Sequence, residues 1–419
     1  MDLLPYMKQW NMLPPKGGTI LCAVSGGRDS ICLLDYLCRL APQCGFALAA
    51  AHLNHLMRPT AQRDVDFVTG FCRERNIPLY LAQRDVCALA AEKGIGEEEA
   101  GRQARYEFLE TTAQEIGAER IATAHHRQDQ AETVILNLLR GTGPDGLCGI
   151  PPVREKYIRP LLQTSRREVE DYLTENHLSH IEDETNENRD YARNRLRLDL
   201  WPQLEEIHSG AADHIAHTAE LLRRENQFLD QLAARYLPRT GTEISCAALH
   251  QAPPVLQNRM VRQLLERLPA GKKDVTAAHI EAVVGLCSHR GTVALPAGMM
   301  AVCDGTVLRL TVQKVPPEEL RLHSGVNRWG DYTLTLLQTE EREISVRAWH
   351  SEDRMTLPGS RGSRTLKRLF AEKHILPPER ELLPVVTVDQ KVAVVYGIGT
   401  DVQFEDWKIN IEKNGGQGQ

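Results

Sequence analysis

Thr19-Ile20-Leu21-Cys22-Ala23-Val24 runs directly into Ser25-Gly26-Gly27-Arg28-Asp29-Ser30, and apolar residues at helical spacing continue to Leu40. The short apolar run reads as a buried strand, and the glycine pair as a tight connection into a helix. Strand, glycine loop and helix form an anion cradle. Gly26 and Gly27 let backbone N–H groups approach a charge, Ser25 and Ser30 add hydroxyl donors, and the helix N-terminus adds the positive end of its dipole. A plain tight turn carries the same short pattern. The Gly-Lys-Ser/Thr ending of a Walker A loop is absent, so this loop suits a departing pyrophosphate better than a transferred γ-phosphate.

Working outward, further apolar runs at 46–53, 79–82 and 120–124 alternate with helix-period segments at 30–40, 60–76, 97–116 and 130–139, the second of which opens at Thr60 as N-cap. That alternation predicts βαβ units around a parallel sheet. Ligands of such sheets bind beyond the carboxyl ends of the strands. The polar stretches 25–30, 54–58 and 125–129 fall at those ends.

Four more clusters hold groups capable of chemistry. His52, Asn54, His55 and Arg58 end the second strand; two histidines three apart can begin a metal site, but no third ligand is obvious, and a capped surface loop accounts for them equally. His125-His126-Arg127-Gln128-Asp129 leads into a helix on which Asp129 and Glu132 share one face. Acids in a first turn also serve simply as dipole partners. Arg102, Arg105 and Tyr106 adjoin on another helix, where a solvated face is the ordinary alternative, and Arg140-Gly141-Thr142-Gly143 forms a loop able to meet a phosphate.

The 419 residues are enough for two or three domains. The division expected is a nucleotide-binding domain with a helical arm at 1–210, a mostly helical domain at 211–313 with Leu221, Leu222, Phe228, Leu229 and Leu232 as its stripe, and a small α+β domain at 340–412. Strand-like sequence spans 292–312. In the last domain the segment 360–374 holds Arg361, Arg364, Lys367, Arg368 and Lys373 against one acid, with Leu366, Leu369 and Phe370 as a candidate buried stripe. The net charge of −6 excludes a global basic field, so nucleic acid contact has to come from local patches. Ten cysteines without a CxxC pair argue against a disulfide framework and a zinc or cluster site, and no long apolar run suggests a membrane span or signal peptide. A cytoplasmic protein is expected.

Together these strings resemble the SGGxDS N-type ATP pyrophosphatases, and within them the tRNA(Ile)-lysidine synthetases. The matching stretches are 25–30, 52–58, 99–106, 125–133, 140–149, Arg159-Pro160-Leu161-Leu162, the acidic string 182–186, Arg193-Asn194 with Arg197, and, near the end, 363–370 and 375–380. The resemblance implies an adenine nucleotide alpha-hydrolase-like first domain and a two-step reaction using ATP, Mg²⁺, free L-lysine and the isoleucine tRNA with a CAU anticodon. It assigns nucleotide binding to Ser25, Gly26, Gly27, Arg28, Asp29 and Ser30, with Asp29 also as Mg²⁺ ligand. Asp29, Asp129 and Arg197 are the catalytic candidates, and Asp129 with Glu132 the lysine binders. RNA or phosphate contact is assigned to His52, Asn54, His55, Arg102, Arg105, Arg193, Arg361, Arg364, Lys367 and Arg368. A homodimer is compatible with the resemblance, although no heptad marks one.

Two stretches depart from the family pattern. Gln128 stands where a first acid is usual, leaving Asp129 to carry the carboxylate role, and 349–355 replaces an Arg-x-Gly-Asp-Arg opening of the last domain. The rival activities are an ATP-dependent tRNA thiolase of the same loop class and a non-catalytic RNA-binding homologue. Cysteine pairs would mark the former, and erosion of the loop and of Asp129 the latter.

Overall fold

The computed structural model describes residues 1–56, 61–182, 192–271, 273–337 and 342–414; Arg58, the expected Thr60 cap and most of the 182–186 string lie outside them. The chain separates into two compact units, Met1–Gln227 and Phe228–Gln419. The helix Ala211–Ala234 therefore runs through the division rather than beginning after it.

In the first unit the strands are β1 (Thr19–Ala23), β2 (Ala47–Asn54), β3 (Leu79–Gln83), β4 (Arg120–Ala122), β5 (Val153–Arg154) and β6 (Tyr157–Ile158), in the spatial order β3-β2-β1-β4-β6-β5. All neighbours pair in parallel except β5 with β6. Alternate residues of a strand face opposite sides, and β1 shows it: Ile20 and Cys22 join a core with Ile31, Leu34 and Leu37, while Leu21 joins another with Leu109 and Ala113. Covered on both faces, β1 must be apolar throughout, as its sequence is. The order 3-2-1-4 reverses direction at β1, so the loops after β1 and β4 diverge at the topological switch point where such sheets bind ligands.

The helices are α1 (Leu4–Gln9), α2 (Arg28–Cys44), α3 (Ala61–Glu74), α4 (Val86–Lys93), α5 (Glu97–Glu115), α6 (Arg127–Leu139), α7 (Pro144–Leu147) and α8 (Arg166–Glu175), then α9 (Ala192–Arg195), the π-helical Leu196–Leu200, and α10 (Trp201–Ile207). Four expected strands and four expected helices are present. Helices α8 to α10 fall in the expected helical arm, whereas α1, α4, α7 and the β5–β6 hairpin were not anticipated.

In the second unit, helices Cys246–Gln251, Pro254–Leu265 and Ala277–Leu286 share a core with a four-stranded antiparallel sheet of 243–245, 291–294, 299–303 and 307–312. The strand-like 292–312 thus folds as three strands. Leu221 and Phe228 are exposed, which corrects the expected stripe. The long helix buries Ala219, Arg223, Asn226 and Ala233 instead. Farther on, Leu366–Glu372 forms a helix whose Leu366, Leu369 and Phe370 enter a separate core with Val385, Val386 and Val395. At the departure noted above, Asp353 is buried and accepts both Nη atoms of Arg347 (2.9 and 2.8 Å) and the His350 N–H (2.6 Å), so its carboxylate still organises that loop.

One polar group ties the nucleotide-loop helix to its neighbours. Asp35 on α2 is buried and accepts from Arg39 (2.7 Å), from Arg75 just beyond α3 (3.2 Å) and from the Tyr172 hydroxyl on α8 (2.8 Å). Removing the carboxylate takes an acceptor from Arg75, the Tyr172 hydroxyl and the exposed Arg39 at once, a loss on the order of 3 kcal/mol. Asp35→Ala is expected to lower unfolding free energy by about 3 kcal/mol in urea titration, and Tyr172→Phe by about 1 kcal/mol.

Candidate active site

Ser25-Gly26-Gly27 turns tightly because Gly26 takes φ +92°, a left-handed conformation costly for any side chain. The turn is held from within. Ser30 Oγ donates to the Gly27 carbonyl (2.8 Å) and accepts the Ser25 N–H (3.2 Å), and Ser25 Oγ accepts the Gly27 N–H at 3.3 Å. Gly27 caps α2 without a side-chain partner. Arg28 Nη1 is held by Glu170 of α8 at 2.9 Å. Asp29 Oδ1 is shielded from solvent and accepts no hydrogen bond among the described residues; Arg28 Nε, likewise without an acceptor, lies 3.6 Å away.

The loop after β4 presents the second half of the site. His126 caps α6: its Nδ1 accepts the N–H groups of Gln128 (3.2 Å) and Asp129 (3.4 Å), while Asp129 Oδ2 accepts the His126 N–H (2.9 Å). Because Nδ1 is an acceptor, the ring proton of neutral His126 sits on Nε2, which lies 3.7 Å from Asp29 Oδ2. One imidazole thus stands between the acid of the nucleotide loop and the acid of α6.

One turn on, Glu132 is fully buried and is met by two guanidiniums. Arg193 Nε reaches Oε2 at 2.9 Å, and Arg197 reaches Oε1 through Nε at 2.8 Å and Oε2 through Nη2 at 2.9 Å. Both arginines also reach Asp129 Oδ1, at 3.1 and 3.3 Å. Burial alone would raise the Asp129 carboxyl, but His126 and Arg193 outweigh it and hold the group below the usual carboxylate range. For Arg197, burial disfavours the charge and Glu132 more than restores it, so its pKa rises. Next to this network, His125 Nδ1 lies 3.0 Å from Thr123 Oγ1, and burial pushes its pKa down to about 4, keeping the ring neutral at physiological pH.

The fold therefore brings together Ser25–Ser30, Asp129, Glu132, Arg193 and Arg197. It withdraws others. His52 and Asn54 are buried: His52 Nδ1 is 2.8 Å from the Val24 carbonyl, and Asn54 Oδ1 accepts the Leu56 N–H (2.9 Å). Their expected RNA contact is corrected to an internal role, since β2 runs to Asn54 and takes both side chains inside. Arg193, expected on RNA, clamps the two acids, and Glu132, expected on lysine, has both oxygens engaged by arginine. His55 lies against α5, its Cε1 and Nδ1 each 3.8 Å from where a Gly101 Cβ would stand. Arg105 is exposed, as is Arg102, which forms a two-pronged pair with Glu99 (2.7 and 2.8 Å). Arg364 and Arg368 share Glu372, at 2.7 and 3.0 Å, while Arg361 and Lys367 are exposed. His125 and His126 received no individual role from sequence. The available signal was a capping pattern, with Asp129 three residues after a residue able to accept its N–H.

A glycine-rich anion loop at the switch point of a parallel sheet, followed in the first helical turn by a carboxylate whose Oδ1 accepts no hydrogen bond among the described residues, defines a nucleotide-using enzyme of the PP-loop class. Residues 6–204 match the PP-loop domain, and residues 344–412 match the TilS substrate C-terminal domain. Over 96% of its length the chain is 30% identical to a tRNA(Ile)-lysidine synthase of Caldanaerobacter subterraneus, covering 94% of that protein. Proteins of the same name from Symbiobacterium thermophilum (33% identity, 95% of this chain and 93% of that one) and Geobacillus kaustophilus (31%, 93% and 92%) match similarly. The chain belongs to the tRNA(Ile)-lysidine synthase family, and ATP use follows from its PP-loop domain. Among the described residues no helix is long and apolar enough to cross a membrane.

The neutral His125 has a signature in stability. Its folded pKa, about 4, lies below the 6.5 of an unperturbed histidine, so between these values the unfolded chain binds the extra proton and stability falls as pH drops. Thermal melting from pH 7 to 4.5 is expected to show this loss, about 1–3 kcal/mol, and His125→Asn to remove that part of the pH dependence.

Proposed function

We propose that this protein ligates free L-lysine to C2 of the wobble cytidine of the CAU-anticodon isoleucine tRNA, with ATP cleaved to AMP and pyrophosphate. The observation that carries this reading is the approach of Asp29, on the phosphate loop, to the Asp129–Glu132–Arg193–Arg197 network across His126. Anion donors for a triphosphate and an acid for an amine then serve one substrate base. Family membership favours this over the thiolase, and the intact loop and Asp129 favour it over a non-catalytic homologue.

In the first step the cytidine O2 attacks the α-phosphorus and pyrophosphate leaves. The backbone N–H groups and hydroxyls of 25–30 receive the departing charge. Asp29 fits a Mg²⁺ ligand, because Oδ1 is a shielded anionic oxygen with no hydrogen bond; one carboxylate plus substrate phosphates is an ordinary set for this ion, which supplies charge neutralisation when bound. In the second step the lysine amine attacks C2, the C2–O bond breaks, and AMP departs with the former base oxygen. An unperturbed lysine amine has a pKa of about 10.4 and arrives protonated. Asp129 takes the ammonium and then its proton. While the arginines hold it, Asp129 is a weak base; exchanging a guanidinium for the ammonium raises its basicity. Glu132 braces Arg193 and Arg197, and Arg197 meets phosphate charge. Arg361 and Lys367 contact the tRNA backbone.

Labelled lysine is expected to enter the isoleucine tRNA, and not the CAU methionine elongator, only with ATP and Mg²⁺. Asp29→Ala and Asp129→Ala are expected to lower that rate by about 10³-fold or more while the circular dichroism spectrum is kept; full activity in either removes that residue's role. Lys367→Ala is expected to weaken tRNA binding and reduce the slope of log K against log salt by about 1.

A further inference from the structure

Among the described residues, a backbone N–H from far along the chain reaches the glycine pair of the anion cradle. The Ile181 N–H donates to the Gly26 carbonyl at 2.9 Å, and Gly27 and Ile181 form an isolated parallel bridge. The Ile181 side chain lies over the glycine: a Cβ on Gly26 would stand 3.0 Å from Ile181 Cδ1 and 3.4 Å from Val68 Cγ2. Ile181 is more than 150 residues from the loop in sequence, in the segment after α8.

We infer that Ile181 is a positioning residue for the nucleotide: it sets the direction in which the loop offers its Gly27 N–H. The reason is the planarity of the peptide. The Gly26 carbonyl and the Gly27 N–H belong to one trans unit and point in opposite directions. Fixing the carbonyl on Ile181 aims the N–H the other way, where its acceptor is Ser25 Oγ at 3.3 Å. That bond is long for an N–H to oxygen contact, so a phosphate oxygen displaces the hydroxyl at little cost. Without the bridge, only the long Ser25 contact resists a flip of the Gly26–Gly27 peptide, because neither glycine carries a side chain to oppose it. The isoleucine side chain covers the same peptide and bars a rotated carbonyl from that side.

This inference rests on the proposed use of the loop for ATP, and its test reads nucleotide binding separately from lysine transfer. Ile181→Pro deletes the N–H, and Ile181→Ala deletes the cover while keeping the N–H. Calorimetry with a non-hydrolysable ATP analogue is expected to give an affinity about tenfold weaker for the proline variant and about threefold weaker for the alanine variant, with Ile181→Val close to wild type. In turnover, KM for ATP rises by the same factors while KM for lysine stays within twofold, a split that general destabilisation does not produce. Wild-type nucleotide affinity in both the proline and alanine variants overturns the inference. If the proline variant does not fold, wild-type affinity in the alanine variant alone overturns it. A wild-type protein that binds the analogue but incorporates no lysine counts against the proposed reaction and leaves the role of Ile181 standing.

Discussion

A carboxylate with no access to water is the constraint around which the site is built. Glu132 is fully buried, and an isolated charge in that position is prohibitive, so it requires partners of opposite sign. Arg193 and Arg197 supply them, and both extend to Asp129 one turn back. Four residues apart, the two arginines project from one side of a helical segment. The segment widens into a π-helix at Leu196–Leu200, a geometry that recurs at functional sites, where Arg197 has to meet the same acid as Arg193. The brace fixes the arm after α8 to α6, so the distant ArgAsnArgLeuArg stretch at 193–197 joins the candidate site of the first unit.

The sheet supplies the other half of the geometry. Since β1 lies between β2 and β4, the chain leaves β1 and β4 at the same edge, and the helices that follow, α2 and α6, start side by side. Asp29 occupies the first turn of one, and Asp129 the first turn of the other. His126 fits between them because its own helix consumes Nδ1 as a cap, which turns Nε2 outward to Asp29. Local capping chemistry thereby sets the tautomer of a residue inside the site.

The sequence made the nucleotide loop, the parallel sheet and the Asp129–Glu132 face legible because each rests on local pattern: an apolar run, a glycine pair, a spacing of three. What it concealed depends on partners far along the chain. His52 and Asn54 look like surface ligands until β2 is seen to extend through them, and Arg193 looks like an RNA contact until Glu132 is found buried opposite it. Leu221 and Phe228 satisfy helical periodicity, yet the helix turns Arg223 inward, where it donates to the carbonyls of Cys148 and Ile150. Periodicity counts apolar residues and cannot foresee a buried guanidinium that is satisfied by backbone. The three-stranded folding of 292–312 was hidden for a related reason: Gly305 sits in the second turn with φ +95°, and a strand-like composition does not reveal where the chain reverses.

Gln128 gains its meaning from the same charge arithmetic. With a neutral amide there, the network holds two acids, Asp129 and Glu132, against two arginines, and carries no surplus negative charge for an arriving ammonium. In the proposed reaction, a lysine that pairs with Asp129 at Oδ1 takes the place of a guanidinium there. Glu132 keeps the displaced arginine from leaving, since each retains at least one contact of 2.9 Å or less to that acid. In the proposed reaction this exchange serves two needs of the second step together: it restores basicity to the carboxylate that must take the amine proton, and it frees a permanent cation for the charge that leaves with AMP.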